Sequence, residues 1–284
     1  MSLNEISKHY SNKSIAILIC YFGKLPWYFD YFVYTCKYNP SIDFYIIIDD
    51  TNWCKPLPGN ITLIYKTLEN VNKIATQKLS FNTNIHTVRK LCDFKPIYGF
   101  LFSDIVHGYD FWGHGDIDVI FGDIRNFITD ELLENYEIIN VRHDYLAGYF
   151  LLFKNNEKMN KLFMKSRDFK KVLSSDIHYC FDETNFQYNE FTDIFSLPKR
   201  KKEVESMTHV VKRLEKEGYI KAHFDHYVID GVPGRIKWEK GVLYYRNKYE
   251  VLLYHMIMFK KRYKPKQVGN IPNTFRISPA RIYT

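Results

Sequence analysis

No stretch of this 284-residue sequence reaches the roughly 18 uninterrupted apolar residues of a membrane-spanning helix, which argues against an α-helical membrane protein. Residues 1–13 are too polar for a secretory signal, so the expected location is the cytoplasm. Cysteine is scarce and unpatterned. Cys20, Cys36, Cys54, Cys92 and Cys180 are odd in number and include no Cys-x-x-Cys pair, which speaks against structural zinc or redox work and predicts reduced, mostly buried thiols. There is no internal repeat and no low-complexity linker.

What is present is a globular composition: 46% hydrophobic and 17% aromatic, with 23 Tyr and 22 Phe, enough for a sizeable core. A formal net charge of +8 implies attraction to something anionic, whether nucleic acid, a phosphorylated substrate or an acidic membrane surface. Charge alone does not choose among them.

Residues 14–20 form a continuous apolar run of the kind shown by buried parallel strands, broken by Tyr21-Phe22-Gly23-Lys24-Leu25-Pro26. A helix over 27–38, closed by Asn39-Pro40, and a strand over 43–48 ending in Asp49-Asp50 complete a β-α-β unit. A third short strand is expected over 60–65, a helical pattern interrupted by Pro96 over 83–106, and a further strand over 110–113. Strands over 137–141 and 148–153 precede a lysine-rich helix over 156–169. Lys199-Arg200-Lys201-Lys202 reads as an exposed insertion within 197–218, Tyr244-Tyr245 as part of a late hairpin, and 260–264 as a basic segment. The expected architecture is a mixed, mostly parallel α/β sheet flanked by helices in one domain.

Gly115-Asp116-Ile117-Asp118-Val119-Ile120-Phe121-Gly122-Asp123 sets two carboxylates two residues apart just beyond an expected strand. Mg²⁺ and Mn²⁺ prefer oxygen ligands and share them with substrate phosphates, so an acidic pair at a strand's carboxyl end suits a metal–diphosphate complex. The bland alternative is a solvated turn.

With the first strand, the acid-ended second strand, this Asp-x-Asp and a late histidine in order, the chain resembles GT-A-fold glycosyltransferases. Lys90-Leu91-Cys92-Asp93-Phe94-Lys95-Pro96, taken with the acidic motif, is similar to a bacterial family that makes surface polysaccharides such as O-antigen or capsule. The resemblance implies a GT-A-like domain over 1–284, with a nucleotide-sugar-binding half at 14–125, an acceptor half at 126–264 and a tail at 265–284. It puts Asp118 on a divalent ion, Asp116 on the ion or the donor ribose, and His255 as a further ligand, for which Mn²⁺ is better suited than Ca²⁺. Without the resemblance His255 would read as a hydrogen-bonded core histidine.

The resemblance also implies that Tyr21, Phe22 and Gly23 seat the base, although Phe22 equally fits core packing. Asp49 could accept from a uracil N–H or cap a turn. Asp93 is expected at the nucleoside and Lys95 at the donor phosphate, with Lys260 a second cation for the nucleotide; as plain sequence Asp93 and Lys95 are a solvated pair. Ala147 and Gly148 resemble the small segment that lets the donor sugar approach, though Gly148 could be a β-bulge. Asp182 and Glu183 resemble the acidic segment facing the anomeric carbon, where a carboxylate deprotonates an acceptor hydroxyl or stabilises an oxocarbenium-like centre; helix capping is the alternative.

The expected activity is therefore metal-dependent transfer of a hexose, galactose among the candidates, from a UDP-sugar to a polysaccharide or lipid-linked glycan. Contact of residues 260–266 with an anionic inner membrane surface would present such an acceptor, a solvated charge run being the alternative. The rivals are a metal-dependent phosphohydrolase or nuclease, which would want a denser ligand cluster, and a nucleic-acid-binding protein, against which Lys and Arg are dispersed and no binding motif is found. No nucleic-acid partner is expected.

Overall fold

The computed structural model describes residues 13–192 and 201–284. The strands in chain order begin with β1 (Ile15–Tyr21), β2 (Ile42–Ile48), β3 (Ile61–Tyr65), β4 (Phe111–Gly115) and β5 (Val119–Phe121). They continue with β6 (Ile138–Asn140), β7 (Phe150–Lys154), β8 (Ala222–Phe224), β9 (Val228–Ile229) and β10 (Ile236–Glu239). The last are β11 (Val242–Tyr245), β12 (Tyr249–Glu250), β13 (Leu253–His255), β14 (Thr274–Ile277) and β15 (Ile282–Tyr283).

The result is a mixed α/β fold built on a seven-stranded sheet in the order β3-β2-β1-β4-β7-β6-β8. Pairings β1–β2, β2–β3, β1–β4 and β6–β8 are parallel, while β7 runs antiparallel to both β4 and β6. The apolar run in β1 is buried on both faces. Ile15, Ile17 and Ile19 pack with Phe29, Phe32 and Cys36 of helix Phe29–Cys36. Ala16 and Leu18 face the other layer, with Val71 and Ala75 of helix Leu68–Leu79 and Leu91, Phe94 and Ile97 of a 3-10 helix, Val88–Ile97. The period of two along the strand thus builds two cores, one on each side of the sheet. A five-stranded antiparallel sheet, β12-β11-β10-β14-β15, and a three-stranded one, β5-β13-β9, enclose a third core around Trp238, Tyr254, Phe259 and Phe275.

Several expectations change here. Residues 156–169 are not one helix: Glu157–Asn160, a 3-10 turn Leu162–Lys165 and Phe169–Ser174 share the job, because Phe163 and Leu173 must both reach the core. The expected tail holds β14 and β15, with Phe275 and Ile277 buried against Trp238 and Ile236. Lys199 and Arg200 lie outside the described residues, and Lys201 and Lys202 are exposed. Residues 207–216 of the supposed insertion form an amphipathic helix burying Met207, Val210, Val211 and Leu214. Among the described residues no helix is long and apolar enough to cross a membrane, and the cysteines are free, with Cys54 exposed.

Close approach of the helical layer to β4 explains one glycine. Trp112 stacks on Phe153 with ring centroids 4.6 Å apart, and its indole also covers Gly99, where an added Cβ would overlap the ring atoms. Gly99→Ala should therefore cost about 1–3 kcal/mol through overpacking, read as a lowered midpoint in denaturant; an unchanged midpoint would refute this packing.

Candidate active site

The carboxyl ends of the parallel strands β1 and β4 open on a cleft of about 330 Å³. Its walls include Tyr21, Lys95, Asp116, Asp118, Gly148, Asp182, Glu183, His255 and Lys260. Such an edge is where successive loops meet and ligands bind in parallel α/β sheets.

The acidic pair is placed by the residue between its members. Asp116, Ile117 and Asp118 form the short bend between β4 and β5; Ile117 is buried with the β1 core, and both carboxylates line the cleft. Antiparallel pairing of β5 with β13 sets His255 opposite Val119, and the Met256 amide donates to the Asp118 carbonyl at 2.8 Å. Asp116, Asp118 and His255 each offer a ligand atom, all within 4.8 Å of one another. Two carboxylates and an imidazole form an O,O,N donor set that fits Mn²⁺ or Mg²⁺. It is the only such group of three or more acidic, histidine or cysteine side chains among the described residues.

Cations of the chain itself surround these carboxylates. Lys260 Nζ lies 2.7 Å from Asp118 Oδ2, and His255 Nε2 lies 3.5 Å from the same oxygen. Burial alone would raise the Asp118 pKa, but His255 and Lys260 outweigh it and hold the carboxyl well below its usual range. Burial likewise disfavours a charged imidazole, yet Asp118 and Asp230 prevail and push His255 up to about 9. Lys95, from the 3-10 helix, donates to Asp116 Oδ1 at 2.7 Å and to the Gly148 carbonyl at 2.9 Å. Its burial opposes the charge, but Asp116 more than compensates and keeps it protonated.

Across the cleft, Glu183 accepts from the Gly148 amide at 3.0 Å and from the Tyr188 hydroxyl at 2.6 Å. An added Cβ at Gly148 would lie 2.8 Å from Asp182 Oδ2 and 2.9 Å from Glu183 Oε1, so the glycine makes room for both carboxyl groups. Burial pushes Asp182 well above the usual carboxylate range; Lys95 opposes this and Glu183 adds to it. Cys180, Asn185 and Phe186 around the pair all have positive φ, a strained loop of the sort found at ligand sites.

Other expected site residues stand outside the cleft wall. Phe22 is core, packed with Ala16 and Leu18. Gly23 has φ +99° and its amide donates to Asp49 Oδ1 at 2.7 Å, so these two close the loop after β1. Ala147 is buried, its amide tied to Asn140 Oδ1. The expectation that Asp93 faces the nucleoside gives way: its carboxylate is buried, accepting from Lys90 Nζ and from the amides of Tyr179 and Phe181 at 2.8–2.9 Å. It braces the loop that carries Asp182 and Glu183. Sequence reading gave no role to Lys90, which supports this brace from within the family-like motif, and missed Arg142, Tyr149 and Asp230, which lie around His255 and which no local motif marks.

The family described as a family of unknown function (DUF6625) matches residues 17–284. The chain belongs to that family. None of the curated proteins matches it in sequence. Among solved structures, it is similar to the galactosyltransferase LgtC in complex with donor and acceptor sugar analogues, at 12% identity and a TM-score of 0.36, over 76% of this chain and 75% of that one. The same figures hold for an active-site mutant of LgtC.

Asp93 supplies a test of the brace in this DUF6625 chain. Burial would raise its pKa, but the adjoining His178, Lys90 and the Phe181 amide outweigh it, so the folded pKa lies below the unfolded one. Its contribution to stability is thus present above the ordinary carboxylate pKa and lost as pH falls through the folded value. Asp93→Asn leaves the Lys90 ammonium buried without its countercharge and should cost about 3–5 kcal/mol near pH 7. That difference from wild type, measured by unfolding, should shrink on acidification; a pH-independent difference would count against the ionic brace.

Proposed function

We propose that the chain is a metal-dependent glycosyltransferase that moves a hexose, with galactose a candidate, from a UDP-sugar to a hydroxyl of a bacterial polysaccharide or lipid-linked glycan. The observation that carries this reading is the convergence of Asp116, Asp118 and His255 within 4.8 Å, in one cleft with Lys95, Lys260 and the carboxyl groups of Asp182 and Glu183. Asp116, Asp118 and His255 would hold Mn²⁺ or Mg²⁺, which when bound supplies positive charge to a departing nucleoside diphosphate.

The chain's own groups do the rest. Lys260 Nζ, paired with Asp118 Oδ2 at the cleft wall, is a cation that would offset negative charge developing on the leaving phosphate. Lys95 stays with Asp116 and Gly148 and fixes the floor on which the donor lies. Tyr21 offers an aromatic face for the base at the end of β1. Asp182, whose carboxyl burial pushes well above the usual carboxylate range, lies beside Glu183, whose carboxylate is oriented by Gly148 and Tyr188. In direct displacement such a carboxylate takes the acceptor hydroxyl's proton; with retention of configuration it faces the oxocarbenium-like carbon instead. The anomeric configuration of the product distinguishes the two.

The test is a screen of nucleotide sugars with simple acceptor glycosides for Mn²⁺-dependent UDP release. Folded Asp118→Ala should lose about a hundredfold or more of that release. Full activity in that variant would sink the assignment, and phosphate release without an acceptor would mean hydrolysis instead. The exposed Lys261, Arg262, Lys264 and Lys266 are the surface on which an anionic inner membrane would present a lipid-linked acceptor, with Lys260 drawn away into the cleft. Stronger sedimentation with anionic than with neutral liposomes is expected, and equal partitioning would remove the membrane contact from the proposal.

A further inference from the structure

We propose that Asp230 is the positioning residue for His255, fixing the imidazole so that Nε2, and not Nδ1, is presented beside Asp118 to a divalent cation. The inference rests on the metal-dependent reading above and adds to it a residue that no sequence motif marks.

Asp230 directly follows β9, a two-residue strand paired parallel with β13 in the register Val228↔Leu253 and Ile229↔Tyr254. That register carries Asp230 alongside His255. Asp230 Oδ1 lies 2.9 Å from His255 Nδ1. An ionised carboxylate only accepts, so the nitrogen facing it carries the proton, which leaves Nε2 for the side of Asp118.

The carboxylate is itself held from two further directions. Arg142 Nη1 donates to Asp230 Oδ2 at 2.6 Å and the Tyr149 hydroxyl donates to the same oxygen at 3.1 Å. Arg142 is in turn clamped by Asp144 through Nε at 2.8 Å and Nη2 at 2.7 Å, a planar fork that a lysine would not reproduce. The Tyr149 ring also lies against the imidazole, with centroids 4.1 Å apart. Hydrogen bonding therefore fixes which nitrogen points into the cleft, and ring contact fixes the tilt. Outer partners of this kind orient a ligating histidine and set its tautomer, and losing one typically weakens metal binding about tenfold to a hundredfold.

The experiment is Mn²⁺ binding to the full chain, with affinity read from the EPR signal of the free ion and coordination from spin-echo modulation by a directly bound imidazole nitrogen. Wild type should bind and show the modulation, and His255→Ala should lose it. Asp230→Asn, shown to be folded by circular dichroism, should bind about tenfold to a hundredfold more weakly with diminished modulation, and Asp230→Glu should recover part of both. Equal affinity and modulation in folded Asp230→Asn would overturn this inference while leaving the metal reading intact. No Mn²⁺ binding by wild type would overturn both. If Asp230→Asn does not fold, Tyr149→Phe removes one donor and keeps the ring: a severalfold loss supports the inference, and unchanged affinity counts against it.

Discussion

The cleft depends on the pairing of β5 with β13. Asp118 and His255 are far apart in sequence, and a backbone ladder with a 2.8 Å bond from the Met256 amide to the Asp118 carbonyl brings them together. Side chains alternate along a strand, so a slip of one residue would put Tyr254 or Met256 where the imidazole stands. The hydrophobic pattern forbids that slip. Tyr254 and Met256 are buried with Trp238 and Phe259 in the third core, and Leu253 is buried with β1 and Phe121 in another. Core packing, rather than any local preference of His255, sets the register of the site. The same strand's other neighbour, β9, delivers Asp230 to the far side of the ring.

Electrostatics then follows from how closely unlike charges are stacked. Asp116 pairs with Lys95, Asp118 with Lys260 and His255, and Asp230 with Arg142 and His255. Each group is at least partly withdrawn from water, where an unpaired charge is costly and a well-placed partner strong. The acidic pair is thus balanced by cations of the chain, Lys95 on Asp116 and Lys260 on Asp118, so these carboxylates do not stand as a bare cluster.

The parts of the fold that sequence reading found are those where local pattern and burial agree. A strand buried on both faces reads as a continuous apolar run, which made β1 and the Ile46-Ile47-Ile48 end of β2 plain, and the break after β4 left Asp116 and Asp118 at its carboxyl end. Legibility failed where packing overrides propensity. Residues 157–174 have helical composition but are cut into three turns to seat Phe163 and Leu173, and the last strands owe their pairing to Trp238, far from them in sequence. Helix Leu68–Leu79, closed at its start by a Thr67–Asn70 capping box, carried a local signal that went unused. In the cleft, the residues that the sequence named were those in short acidic motifs or at positions the family resemblance implied, such as Tyr21, His255 and Lys260. Asp230, Arg142 and Tyr149 come from three separate loops or strand starts, and only the tertiary fold makes them neighbours.

The segment Lys90-Leu91-Cys92-Asp93-Phe94-Lys95-Pro96 shows why a motif can be recognised while its residues are misassigned. In a tight helix of about three residues per turn, positions two apart point to different sides. Lys95 therefore reaches the cleft and Asp116, whereas Asp93 turns into the protein and, with Lys90, ties down the amides of Tyr179 and Phe181 and the carbonyls of Val172 and Ile177. That loop has no regular secondary structure between Ser174 and Tyr188 to hold Asp182 and Glu183 in place. The buried ion pair takes over the role that a strand ladder plays on the metal side. One short helix thereby fixes both walls of the cleft, with Lys95 on the acidic pair and Asp93 behind the opposing carboxyl groups, so the spacing between the two walls is set within a single rigid element.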